Sequence, residues 1–336
     1  MLSGKYVADC KNCYASENLG IESLRQSSNK EYGQMYDINS LTEEPLEPVF
    51  LDIRFDNLCN LKCRSCTPHY STKWYGDFEK IVGERFKPDF EINTKDKIWN
   101  EFSVYFKTAK KIYFAGGEPL LSALHLDALK YLLESGNNSV SLIYNTNLTV
   151  IPESVIKFWQ KFKNVTICAS LDGVGVVGES IRFGSNWEQF VRNSSLLKNE
   201  IPHLTFRIDF TLSVYNIFYL PETLEELISR DVLHTLNNFT LNFLSEPKYL
   251  CVHILDQEER GKLNKKYAEF ISKMERDCPS HALKFKNILT AAISYLKQQS
   301  SENERLDFKL YNRKLDKIRA ENSLTVFKEL DRLIRI

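Results

Sequence analysis

Short apolar runs alternate with longer amphipathic stretches through the middle of the chain. Six of these runs are rich in β-branched and aromatic residues, which is typical of strands, and they span 48–55, 110–116, 139–146, 164–172, 204–212 and 238–244. The stretches between them have helical periodicity. This alternation predicts an α/β fold with a parallel sheet and helical crossovers. It leaves open whether the sheet is doubly wound or curled into a barrel.

The strand pattern stops near residue 250, and only helical periodicity follows. Predicted helices cover 265–276, 283–298, 307–318 and 325–336, and the last of these carries Val326, Phe327, Leu330 and Leu333 at helical spacing. Residues 14–48, by contrast, are polar and read as loops. We therefore predict an N-terminal segment (1–48), a core (49–250) and a helical C-terminal extension (251–336). The extension is interpreted as a cap on the core, with a partner-binding surface as the alternative.

Composition and charge give no indication of a nucleic-acid-binding, membrane or secreted protein. The 44 lysines and arginines balance 44 aspartates and glutamates, so overall charge does not indicate nucleic acid or a membrane as partner. The sequence has neither an 18-residue apolar run nor a signal-peptide pattern. We expect a cytoplasmic protein whose eight cysteines are reduced, because disulfide frameworks belong to short secreted chains.

Three of the cysteines are clustered just after the first predicted strand. Cys59, Cys63 and Cys66 lie in "NLCNLKCRSC", and carboxyl ends of parallel strands are where α/β folds build sites. Three thiolates are one ligand short of a structural zinc site or an electron-transfer iron–sulfur cluster. A cubane held by three thiolates would keep one iron open for a small molecule. The alternatives are three structural cysteines, or a zinc site completed by a distant residue.

The triplet resembles that of the radical S-adenosylmethionine (SAM) enzymes. Segments "FAGGEP" (114–119), "YNTNL" (144–148) and "SLDG" (170–173) end the next three predicted strands and are similar to segments of that family. The likeness runs from residue 50 to about residue 245. It implies a partial (β/α)6 TIM-like barrel and an enzyme of oxidoreductase or transferase type. Its [4Fe–4S] cluster would cleave SAM reductively, and the 5′-deoxyadenosyl radical would take hydrogen from a substrate.

The resemblance also implies which residues form the site. Cys59, Cys63 and Cys66 would be the metal ligands, and the SAM contacts would be Gly116, Gly117, Glu118, Pro119, Asn147, Ser170 and Asp172. Glycine lets backbone approach a ligand closely, and the Glu118 carboxylate suits the SAM ammonium. Arg182 is either a partner for a ligand carboxylate or a surface arginine. No residue is assigned a catalytic role. Ser65 departs from the family pattern, which usually has a large or aromatic residue there, close to the adenine.

A second cysteine pair, Cys10 and Cys13, begins the pattern C-x2-C-x3-E-x2-G-x2-S-x-R. This pattern resembles the subgroup with twitch or SPASM-type auxiliary clusters. Two thiols do not complete a four-ligand cluster. We expect either that residues 1–48 are the end of a longer auxiliary-cluster region, or that ligands come from elsewhere, with Cys251 and Cys278 as candidates. Zinc, or no metal at all, is the alternative.

The resemblance implies partners as well as cofactors. These are a peptide or protein side chain as substrate, with a carbohydrate or small metabolite as the alternative, and an external electron donor such as flavodoxin or ferredoxin. Two other functions stay open: a non-catalytic iron–sulfur or zinc-binding interaction protein, and a degenerate SAM-binding family member. The glycines of "DGVGVVGES" follow a dinucleotide-type spacing, but poor helix character in "ESIRFGSN" argues against such a site.

Overall fold

The structure is a computed structural model that describes residues 6–18, 22–33, 48–88, 95–297 and 301–335. The chain divides into two compact units, Met1–Glu47 and Pro48–Ile336. In the described residues no helix is both long and apolar enough to cross a membrane.

The second unit is built on one parallel sheet, which confirms the α/β prediction. Its strands are β1 (Phe50–Ile53), β2 (Lys111–Phe114), β3 (Ser141–Thr146), β4 (Asn164–Leu171), β5 (Thr205–Leu212) and β6 (Phe239–Phe243). The strands lie in chain order, each paired with the next. Every predicted strand is present, shortened at its ends by a few residues at most.

The two faces of this sheet differ in chemistry. One face is apolar and fully buried; it includes Ile112, Phe114, Leu142, Ile167 and Ile208. The other is polar and partly exposed, with Tyr113, Asn145, Ser170, Arg207 and Asp209. Right-handed crossovers between successive neighbours put all helices on the same face. The sheet is therefore singly wound, with the helices outside. Because no pairing of β1 with β6 occurs in the described residues, the barrel is partial, as predicted.

Helices connect the strands on the outer face. They are α3 (Tyr75–Val82) and α4 (Lys95–Thr108) before β2, α5 (Ala123–Glu134) before β3, α6 (Glu153–Trp159) before β4, α7 (Gly175–Ile181) and α8 (Trp187–Glu200) before β5, and α9 (Leu220–Ser229) before β6. The short α7 corrects one expectation, because residues 179–181 of "ESIRFGSN" are helical. The side chain of Asn186 caps α8 by accepting a hydrogen bond from the Gln189 amide.

The C-terminal extension is helical, as predicted. It comprises α10 (Gln257–Asp277), α11 (Pro279–Ser294), α12 (Glu302–Arg319), α13 (Ser323–Val326) and α14 (Asp331–Ile334). The single helix predicted over 325–336 is wrong. Phe327 leaves the helical region with φ −96° and ψ 61°, and its fully buried ring packs against Tyr215 at 4.8 Å between centroids. Tertiary burial of this ring outweighs the local helical pattern.

The first unit contains α1 (Lys11–Asn18) and α2 (Leu24–Tyr32), so the expectation of loops from residue 14 is wrong for these stretches. Loops were also predicted over residues 34–47, which lie outside the described residues. Three polar residues of the pattern that follows the cysteine pair contact one another. Glu17 accepts hydrogen bonds from Ser23 at 2.5 Å and from Arg25 at 2.6 Å. The pattern thus has a local structural role that joins α1 to α2.

Candidate functional site

The cysteine triplet lies on the loop that follows β1, at the carboxyl end of the sheet. Cys59 is buried, and Cys63 and Cys66 are half-buried. The loop runs beside the end of α7 and the residues that follow it. The amides of Lys62 and Arg64 donate to the carbonyls of Phe183 and Ile181 at 3.1 and 2.7 Å. Its backbone is therefore fixed by a segment far away in the sequence.

The glycine pair after β2 docks directly on this loop. The amides of Gly117 and Glu118 donate to the carbonyls of Asp56 and Leu58 at 3.2 and 2.7 Å. A Cβ on Gly117 would lie 2.3 Å from the Leu58 carbonyl oxygen, and one on Gly116 would lie 2.8 Å from that of Asp56. Gly116 also has φ +121°, which favours glycine. Close contact with the cysteine loop therefore leaves no room for a Cβ at either position.

Glu118 is fully buried between the ends of β2 and β3. Its carboxylate accepts hydrogen bonds from the Thr146 hydroxyl and the Asn147 amide, both at 2.7 Å. Burial raises the pKa of Glu118 to about 7, although these donors and Arg182 lower it. The same side chain caps the 3-10 turn that begins at Pro119. Glu118 thus joins two strand ends that sequence reasoning placed at the same site.

Asn147 connects the end of β3 to the cysteine loop. Its side-chain amide donates to Asn60 at 2.9 Å and lies 3.9 Å from the Cys59 sulfur. The Ser170 hydroxyl, on the inner face of β4, donates to Asn145 at 3.2 Å. Asn145 was not predicted as a site residue; its polar character on the inner face of β3 was the available signal.

Arg182 forms an ion pair with Asp172, with 2.9 Å between Nε and Oδ2. Both side chains are largely buried, at 16% and 5% exposure. Burial would lower the pKa of Arg182, but Asp172 and the thiolate forms of Cys63 and Cys59 raise it. Of the two readings of Arg182, the surface arginine is excluded. The pair brings a fixed positive charge toward the cysteines.

The thiols are close enough to affect each other's ionisation. Burial raises the pKa of Cys63 to about 12, Arg182 lowers it, and the neighbouring Cys66 and Cys59 raise it further. Burial likewise raises the pKa of Cys66 to about 11. Metal binding would deprotonate these thiols and release their protons.

This donor set fits an iron–sulfur cluster. Three cysteine sulfurs lie on one loop, and thiolate sulfur is the ligand that such clusters take. Among the described residues, no three His, Cys, Asp or Glu side chains are grouped as ligands of a single metal ion. A four-iron cluster is a larger body, in which each thiolate binds a different iron.

A cleft beside the loop brings several of the predicted contact residues together. It is lined by Asn147, Thr149, Ser170, Gly173 and Arg182, with the start of α8 as its far wall. The cleft is small, with a cavity volume of about 20 Å³, and its accessible lining is mostly apolar. The fixed Arg182 charge is therefore the feature that suits it to an anionic group.

The inner face of the sheet also carries charges that sequence reasoning missed. Arg54 pairs with Asp52 at 3.1 Å, and Arg207 pairs with Asp209 at 3.1 Å. Burial raises the pKa of Tyr113 on β2, and Arg54, Asp52 and Asp209 all lie near enough to affect it. Alternating polar residues in "FRIDFTL" were the available signal.

The remaining cysteines lie in separate environments. Cys10 ends a 3-10 turn and Cys13 lies in α1 of the first unit. In the second unit, buried Cys251 donates to the Leu244 carbonyl at 3.1 Å, and Cys278 lies 3.5 Å from a ring nitrogen of His281.

Comparison with solved structures finds resemblance at low identity. SuiB of Streptococcus suis bound to S-adenosylmethionine is 16% identical over 80% of this chain and 58% of that one, with a TM-score of 0.44. anSMEcpe with bound AdoMet is 20% identical over 68% of this chain and 59% of that one, with a TM-score of 0.44. TYW1 with a lysine-pyruvate adduct bound is 14% identical over 69% of this chain and 72% of that one, with a TM-score of 0.38. The chain thus spans about three fifths of SuiB and anSMEcpe.

No curated protein matches the chain. The sequence model of the radical SAM superfamily matches residues 53–229, more than half of the 336 residues. This range contains the cysteine loop, the glycine pair and the cleft. The chain therefore belongs to the radical SAM superfamily.

Proposed function

We propose that this chain is a radical SAM enzyme whose [4Fe–4S] cluster is held by Cys59, Cys63 and Cys66. When bound, the cluster supplies the electron that cleaves SAM, and the 5′-deoxyadenosyl radical then takes a hydrogen atom from the substrate. The observation that carries the proposal is the docking of the cysteine loop on the ends of β2 and β3. The Glu118 amide is thereby bound to the Leu58 carbonyl at 2.7 Å, and the Asn147 side chain lies 3.9 Å from the Cys59 sulfur.

The chain's own residues would orient SAM by charge and by hydrogen bonding. SAM carries an ammonium, a carboxylate and a sulfonium. Arg182 offers a largely buried cation, which it would share between Asp172 and the carboxylate, and charge-assisted pairs of this kind are the strong ones. Ser170 and Asn147 offer neutral donors and acceptors in the same cleft. Glu118 and Asp172 are already hydrogen-bonded or paired, so each would contact the ammonium only by sharing its present partners.

A polar substrate fits the inner face of the sheet. In a closed barrel that face is packed with branched apolar side chains, whereas here it carries Arg54, Arg207 and their aspartates. SuiB has been solved bound to the precursor peptide SuiA, and anSMEcpe with a Cp18Cys peptide. We propose a peptide or protein side chain as substrate, with a carbohydrate or small polar metabolite as the alternative. An external donor such as flavodoxin or ferredoxin would supply the electron.

We further propose a reducing, cytoplasmic location, because disulfide frameworks belong to short secreted chains. We also propose the division into an N-terminal segment, a core to residue 250 and a helical extension.

The test begins with anaerobic reconstitution of the wild-type chain and of a Cys59→Ala, Cys63→Ala, Cys66→Ala variant. We expect the variant to lose about four irons per chain. A Cys251→Ala, Cys278→Ala variant is the matched control and should keep them. Retention of all the iron by the triple variant would place the ligands elsewhere and overturn the proposal.

The second measurement separates an enzyme from a protein that only binds a cluster. SAM added to the reduced wild-type chain should change its electron paramagnetic resonance spectrum, and dithionite should slowly yield 5′-deoxyadenosine. An unchanged spectrum without product would favour the non-catalytic iron–sulfur protein. A changed spectrum without product would favour the degenerate SAM-binding member.

A further inference from the structure

Arg64, between the second and third cysteines, points away from the thiols into the C-terminal extension. Its side chain is 1% exposed. The guanidinium donates to Asn312 of α12 at 3.2 Å and to Glu321, just beyond α12, at 2.8 Å. A second carboxylate, that of Asp316, lies 3.4 Å away. A residue of the cysteine loop is thus bound by side chains that lie 248 to 257 positions later in the chain.

Aromatic rings complete this pocket for the Arg64 guanidinium. The rings of Tyr215 and Phe327 lie 5.5 and 5.6 Å from it, within cation–π distance. The burial of Phe327, which breaks the predicted terminal helix, therefore has a second consequence. It closes the pocket around the cation.

A second arginine, Arg319 of α12, holds the other half of the cysteine loop through Asp77. Lys62, between the first and second cysteines, lies 2.9 Å from Asp77, and Arg319 pairs with the same carboxylate at 2.8 Å. Burial would raise the pKa of Asp77, but Lys62 and Arg319 hold it below its ordinary value. The Arg319 guanidinium also lies over Trp74 at 4.9 Å.

Two hydrogen bonds reach the backbone between the cysteines. The Tyr311 hydroxyl, on α12, donates to the Arg64 carbonyl at 2.6 Å. The Trp74 indole donates to the Cys63 carbonyl at 2.9 Å. Together with Arg64 and Arg319, these contacts fix both inter-cysteine segments from outside the barrel.

Resting on the proposed function, we infer that Arg64 is a positioning residue through which α12 holds the three thiols at the spacing the cluster needs. A buried ion pair contributes little net stability, since desolvation offsets its attraction. What it supplies is a defined geometry, because a guanidinium binds its acceptors in a rigid fork. Ligands held in place by their neighbours bind metal more tightly than ligands on a free loop. The C-terminal extension is then part of the cluster site and not only a cap.

The experiment measures cluster loss rather than turnover. Wild-type, Arg64→Gln and Tyr311→Phe chains are reconstituted anaerobically, and iron release to a chelator is followed at 10 °C. Arg64→Gln should release iron at least about 10-fold faster, the scale seen when residues that orient metal ligands are removed. Its reduced cluster should also show altered g-values, which simple destabilisation would not produce.

Arg305→Gln is the matched control. Arg305 lies on α12, as Tyr311 does. It pairs with Asp256 and Glu259 and not with the cysteine loop. It should lower the thermal midpoint while leaving the iron-release rate and g-values unchanged. If Arg64→Gln does not fold, Tyr311→Phe decides, because it removes a single hydroxyl and should still speed iron release measurably.

The outcomes separate this inference from the function on which it rests. A wild-type chain that binds no iron overturns the proposed function, and the inference with it. A wild-type chain with about four irons overturns the inference alone if the folded variants match its release rate and spectrum. The inference also fails if Arg305→Gln speeds release as much as Arg64→Gln, since the effect would then be general loss of stability.

Discussion

Asp172 and Arg182 form an ion pair, 2.9 Å between Oδ2 and Nε, that joins the end of β4 to the segment after α7. The carbonyls of Ile181, at the end of α7, and of Phe183, in the segment after it, accept hydrogen bonds from the cysteine loop. The pair therefore holds a cation near Cys63 and also fixes the backbone on which the cysteine loop lies.

Removing the charge of Asp172 should destabilise the fold. Asp172→Asn leaves Arg182 largely buried without a charged partner, and breaking such pairs costs about 3–5 kcal/mol. An Asp172→Asn, Arg182→Gln double variant should lose less, because it leaves no unpaired charge. Urea unfolding gives both free energies. Glu188→Gln, which breaks the exposed pair with Arg230, is the control and should leave the midpoint unchanged. Additive losses in the double variant would contradict the argument.

Gly117→Ala should disrupt the docking of the glycine pair on the cysteine loop. A Cβ 2.3 Å from the Leu58 carbonyl oxygen must push the loop away, and overpacking of this kind costs about 1–3 kcal/mol or more. We expect a lower thermal midpoint and less bound iron after reconstitution.

Gly76→Ala is the control for that substitution. Gly76 lies in α3 with nothing within 4 Å of the added Cβ. Alanine there should stabilise the chain by about 0.5–1 kcal/mol, because it lowers backbone entropy in the unfolded state. If Gly117→Ala and Gly76→Ala changed the thermal midpoint equally, contact with the cysteine loop would not be the reason for glycine at position 117.

His125 should make stability depend on pH between about 3 and 6.5. It is fully buried and lies 2.9 Å from the Tyr144 hydroxyl, and burial lowers its pKa to about 3. In this range the unfolded chain binds a proton that the folded chain does not, so the stability from neutral His125 is lost as pH falls. Urea unfolding at pH 7, 5.5 and 4.5 should show a steeper decline for wild type than for His125→Gln. Parallel declines would rule out this origin.

The cysteine triple variant should be free of iron, even though it keeps Cys10 and Cys13. The pair lies at the junction of a 3-10 turn and α1, and two thiols gain little from chelation unless other ligands are already in place. Iron analysis and absorption spectra after reconstitution measure this directly. Residual iron that disappears in Cys10→Ser, Cys13→Ser would contradict the prediction and establish an auxiliary cluster.

Much of the fold could be predicted because it depends on local periodicity. The six strand runs differ from the helical stretches in the spacing of apolar residues, and that spacing is set by which face each element buries. The triplet and the glycine pair were visible for a similar reason, since cluster ligation and tight turns demand particular residue types at short range. Phe327 shows the limit of prediction from periodicity. Its position fits a helical pattern of apolar residues, but its ring is buried against Tyr215 and the helix is interrupted there.

The sequence by itself determined the six strands, their alternation with helices, and the position of three cysteines just after the first strand. Only the tertiary structure decided what surrounds them. Arg64 and Glu321 are 257 positions apart and 2.8 Å apart in space, and no local pattern links them. The same holds for Gly117, whose neighbour is the cysteine loop, and for Arg182, whose partner ends another element. These contacts arise when the chain folds back on itself, so their energies depend on burial and geometry that periodicity does not encode.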